Sequence, residues 1–121
     1  ILLAAQADEV YLHPDGAVLL EGLGRYRTYF KDAFDKFGIE PHLFRVGEYK
    51  SAGEPYIRSD SSPEAEEADL HWMNDIWTRH VAEVAAARKL EPAALLASIE
   101  ELPARVASHN GDLAKFALAE K

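Results

Sequence analysis

The sequence has no cysteine and a single methionine among its 121 residues. Without cysteine there is no disulfide framework, no thiolate zinc site and no cysteine nucleophile. Cations are also in short supply, with 13 Lys+Arg against 21 Asp+Glu and a formal net charge of −8. A nucleic-acid surface needs clustered cations to meet phosphates, and no such cluster exists here, so nucleic acid is excluded as a partner. No apolar run approaches the ~18–20 residues that cross a bilayer, and no cleavable signal segment is visible. The phosphate loop, the dinucleotide fingerprint and the Gly-x-Ser-x-Gly elbow are all missing. These residues therefore do not encode a complete serine hydrolase.

What remains is a globular composition, 48% hydrophobic, of a length that suits one modest domain. The chain opens on Ile1-Leu2-Leu3-Ala4-Ala5, which reads as the tail of a buried helix, and the expectation is a piece of a longer protein. Residues 9–13 (Glu-Val-Tyr-Leu-His) alternate polar and apolar, the period of a strand with one covered face. Pro14-Asp15-Gly16 is a turn, and residues 17–20 form a short apolar run expected of a buried strand. Tyr26, Tyr29, Phe30, Ala33, Phe34 and Phe37 then recur at helical spacing, a stripe best explained by core packing. Gly38 ends that helix, and residues 42–46 read as another strand.

From Ser62 onward the pattern is helical. Ser62 suits an N-cap, Pro63 the first helical position, and Glu64, Glu66, Glu67 and Asp69 complement the positive end of the dipole. Pro92 starts a further helix, and Asn110-Gly111-Asp112 caps a last one over residues 113–119. The fold expected on this basis is α/β over residues 1–60, short strands around one helix, followed by an all-helical part over residues 61–121.

Candidate chemistry is sparse. His71 and His80 lie nine residues apart, off the spacing of adjacent helical turns, while His13 and His42 have no ligand-type neighbours, so no metal site is expected. The acidic run 64–69 lacks the spacing of a calcium loop. One segment resists a bland reading: residues 45–58, Arg-Val-Gly-Glu-Tyr-Lys-Ser-Ala-Gly-Glu-Pro-Tyr-Ile-Arg. It follows the end of an expected strand, where α/β sheets build sites. A lysine titrates near ~10.4, so Lys50 acting as a base near neutrality requires desolvation. Taken on spacing alone, Lys50 also fits an ordinary solvated loop lysine.

Residues 45–65 resemble a signature of the bacterial signal peptide peptidases of protease IV type, in particular the amino-terminal half of their long two-repeat form. The likeness runs nearly end to end. It includes residues 5–14, Gly22, the Tyr26-x-x-Tyr29-Phe30-Lys31 run, Trp72, Ile76-Trp77, residues 85–88 and residues 111–118. The resemblance implies a ClpP/crotonase-like spiral and a Ser-Lys dyad, with Lys50 as general base and the nucleophilic serine in a carboxy-terminal repeat beyond these residues. It implies no cofactor. It further implies cleaved signal peptides as substrates, a homo-oligomer, and a membrane anchor with the peptidase facing the periplasm from the bacterial inner membrane. Gly53, Tyr56 and Ser61 depart from the residues usual in the family, and Gly53 removes a side chain that would help desolvate the base. Ser51 adjoins the lysine and is the alternative nucleophile, although adjacent side chains seldom face each other. Two other readings compete: a non-catalytic oligomerisation module of the same fold, and an acyl-CoA enzyme on the related spiral.

Overall fold

The computed structural model describes residues 1–120. Seven helices form among the described residues: α1 Leu2–Ala5, α2 Lys31–Phe37, α3 Glu54–Ile57, α4 Pro63–Arg88, α5 Pro92–Glu100, α6 Leu102–Ser108 and α7 Leu113–Glu120. The dominant element is α4, 26 residues long. Its start is set by Ser62, whose Oγ accepts the Ala65 N–H at 3.2 Å, with Pro63 supplying a first-turn position that needs no donor. Its end is a left-handed residue, Lys89 at φ 56°, after which the Lys89 and Leu90 N–H groups return to the Ala86 and Ala85 carbonyls. The cap of α7 is equally local, the Lys115 N–H donating to Asp112 Oδ1 at 2.9 Å.

The chain forms two compact units, one from Ile1–Gly22 together with the stretch from Ile76 onward, the other from Leu23–Asp75. The first has Ala5, Val81, Val84, Ala85 and Phe116 as its apolar core. Within it, Arg88 Nη2 donates to the Ala4 carbonyl at 3.1 Å, placing a cation at the carbonyl end of α1. The Arg105 guanidinium lies 5.9 Å over the Phe116 ring, and His109 meets the same ring edge-on. In the second unit the fully buried residues are small or polar: Ala65, Ser62 and Glu54.

Helix α2 starts later than its apolar spacing suggests. The Phe30 N–H, which a helix from Tyr26 would aim at the Tyr26 carbonyl, instead donates to the Pro55 carbonyl at 2.6 Å. Phe30, Phe34 and Tyr56 stack at centroid separations of 5.9–6.3 Å, while Tyr26 and Phe37 face solvent, so the aromatic stripe is packed only in its centre. Gly38 closes α2 at φ 68°, as its position in the sequence required.

The α/β expectation is not met. No strand is present among the described residues, and the architecture is all-helical. Segments 9–13, 17–20 and 42–46, expected as the strands of a ClpP/crotonase-like spiral, have no ladder partner, and Tyr11, Phe44 and Val46 are 88%, 96% and 84% exposed. Period-2 alternation specifies only that one face would be covered; a strand also needs a neighbour to accept its backbone hydrogen bonds. The turn at Pro14 does form, with the Gly16 N–H donating to the His13 carbonyl at 2.8 Å. No helix of the described residues is long and apolar enough to cross a membrane.

Candidate active site

Lys50 sits between a glycine turn and α3, in the second unit. Gly47 adopts φ 102°, a conformation that side chains resist, and the Lys50 N–H turns back toward the Gly47 carbonyl at 3.4 Å. Three side chains then pin the backbone on either side of the lysine. Arg45 Nη1 donates to the Lys50 carbonyl at 3.3 Å, and Arg27 Nη1 donates to the Ser51 carbonyl at 3.3 Å. The Tyr49 hydroxyl reaches Glu67 Oε2 on α4 at 3.1 Å, and that carboxylate pushes the Tyr49 phenol up from its ordinary value.

The Lys50 side chain itself is exposed and makes no hydrogen bond or ion pair to the described residues. Its backbone is held while its ammonium is left unpartnered. Val46, Tyr49 and Tyr56 do not cover it, each being about half exposed or more. At Gly53 the Leu43 side chain fills the space where a Cβ would lie, 2.5 Å from its position. Ser51 is committed elsewhere: its Oγ accepts Arg27 Nη1 at 3.2 Å, and Arg27 in turn faces Asp69 on α4 at 3.9 Å. The Ser51 oxygen is thus tied to Arg27 and not to the Lys50 amine.

The buried anchor of this region is Glu54, at the start of α3 and fully inaccessible. Its Oε1 accepts the Ser62 hydroxyl at 2.5 Å and Oε2 accepts the Ser62 N–H at 3.2 Å, while Arg45 pairs with Oε1 at 3.4 Å. Burial by itself would raise the carboxyl. The Ser62 hydrogen bonds and the Arg45 and Arg58 charges outweigh it and hold Glu54 below the usual carboxylate range. Glu54, Arg45 and Arg27 carry no signal of their own in the sequence, because their partners lie eight, nine and twenty-four residues away with no periodic relation.

The other candidates stay apart. His80 stacks on Trp77 at 5.8 Å, and among the described residues no three His, Asp or Glu side chains converge as a metal site would require.

The model of peptidase family S49 matches residues 1–111 of the chain. The chain belongs to peptidase family S49. Protease 4 of Salmonella typhi is 40% identical to this S49 chain over 119 residues, 98% of the chain. Protease 4 of Haemophilus influenzae is 36% identical over 115 residues, 95% of the chain. The chloroplastic serine protease SPPA of Arabidopsis thaliana is 36% identical over 62 residues, half of the chain and 9% of that protein. The S49 chain spans about a fifth of the length of the two Protease 4 relatives, 19% of each. The resemblance to the protease IV type thus holds over nearly the whole sequence.

Proposed function

We propose that this chain supplies Lys50 as the general base of a serine peptidase whose nucleophilic serine lies outside these 121 residues. The observation that carries the reading is the Tyr49-Lys50-Ser51-Ala52 run, set within a family match over residues 1–111. The fixed backbone of Lys50 agrees with it, and the desolvation that a neutral lysine needs falls to parts of the full-length protein beyond these residues. In the mechanism, neutral Lys50 takes the serine hydroxyl proton as the serine oxygen attacks the peptide carbonyl carbon. The tetrahedral adduct collapses as the C–N bond breaks, the lysine ammonium returns the proton to the leaving amine, and an acyl ester remains. Water then attacks the ester as Lys50 takes its proton, and when the ester C–O bond breaks the lysine ammonium returns that proton to the serine oxygen, releasing the carboxylic acid.

Cleaved signal peptides are the proposed substrates. The full protein is a homo-oligomer, anchored by a segment outside these residues and facing the periplasm from the inner membrane. Its carboxy-terminal repeat carries the serine.

Replacing Lys50 in the full-length protein tests the reading against a non-catalytic assembly module of the same fold. A positioned general base contributes roughly 10²–10⁴-fold. Lys50→Ala should lower peptide turnover by about that factor with the oligomer unchanged by size-exclusion chromatography. Turnover at the wild-type rate in that variant would discard the general-base role.

A further inference from the structure

Glu54 is the one carboxylate in the second unit that the chemistry above does not use and that water does not reach. A charge buried this completely is costly unless it is paired and hydrogen-bonded, and both of its oxygens are engaged. Its partners connect two places. Ser62 is the N-cap of α4, so the carboxylate is bonded to the start of the longest helix. Arg45 Nη1 bonds both Glu54 Oε1 at 3.4 Å and the Lys50 carbonyl at 3.3 Å. A single guanidinium nitrogen therefore links the buried carboxylate to the backbone of the lysine.

We propose that Glu54 is a positioning residue for Lys50, acting through Arg45. The inference rests on the general-base reading of Lys50 and adds how that base is held in register. The carboxylate orients the Arg45 guanidinium, and the guanidinium holds the Lys50 carbonyl, so the turn that starts at Gly47 cannot drift away from α4. Positioning of this kind acts on the reacting geometry, where small displacements have large effects on rate, and leaves substrate affinity alone.

Glu54→Gln in the full-length protein separates the two arms of the network. With its oxygen in the place of Oε2, the glutamine still accepts the Ser62 N–H, and its amide nitrogen can donate to Ser62 Oγ. The same nitrogen faces the Arg45 guanidinium, donor against donor, and releases it. The helix start is retained and the tie to Lys50 is lost. Arg45→Met is the second variant, and it cuts the tie from the other side.

The expected result is a kcat lowered about tenfold in each single variant, with KM within twofold and full labelling by a serine-directed fluorophosphonate. The double variant should lose no more than the worse single, because both changes break one linkage. A wild-type kcat in Glu54→Gln would overturn the proposal, and so would a loss explained entirely by a smaller reactive fraction or additive losses in the double variant. Lys50→Ala in the same assay keeps the two readings distinct. If it is inactive while Glu54→Gln is wild type, the general base stands and only the positioning role falls. If Lys50→Ala turns over normally, both fall.

Discussion

Glu54 shows how one side chain responds to its surroundings with competing effects. Burial opposes its charge, while Ser62, Arg45 and Arg58 favour it, and the balance lies on the charged side. A carboxyl that titrates lower in the folded chain than its ordinary value of 4.5 adds stability above about that pH. That contribution disappears as pH falls through the lowered folded value. The stability gap between the full-length wild type and Glu54→Gln, measured by urea unfolding, should therefore be constant near neutrality and shrink on acidification below about pH 4. A gap that widens in acid would reverse the sign of the assignment. Glu54 is also the residue least legible from sequence, because its buried state depends on Arg45 and Ser62 arriving from positions with no local pattern. Lys50, by contrast, is legible through the run of residues around it, although the exposure of its ammonium is not.

The helices were largely readable because their boundaries are chemical events within four residues. Pro63 after Ser62, Gly38 after Phe37 and Asp112 before Leu113 each mark an end that the structure keeps. Where a helix boundary departs from the apolar spacing, a distant group is responsible. The start of α2 moves to Lys31 because Pro55 takes the Phe30 N–H. The first turn of α4 couples a local cap to the buried carboxylate, so Ser62→Ala removes both the Ala65 bond and the hydroxyl bond to Glu54. The combined cost is about 2–3 kcal/mol. Since ~1.4 kcal/mol is tenfold, first-turn amides of α4 should exchange roughly 30–150-fold faster in the full-length variant, read by hydrogen-exchange mass spectrometry. Unchanged exchange at those amides would show that the cap does not hold the helix start.

At the scale of the molecule, the proposed reactive pair is divided between these residues and the rest of the protein. The purified 121-residue chain should hydrolyse no peptide, and Ser51→Ala should change nothing, because the proposed nucleophile lies outside these residues and Ser51, tied to Arg27, adjoins Lys50 without facing it. Turnover abolished by Ser51→Ala would make Ser51 the nucleophile and refute the division. Collinear likeness along nearly the whole chain was enough to give the family, and caps whose donor and acceptor are near neighbours were enough to give the helix ends. That the alternating segments remain unpaired, and that a buried carboxylate ties the lysine turn to α4, emerges from the fold. A cap closes within one turn, whereas a sheet ladder and a buried ion pair exist only when residues far apart in the chain meet.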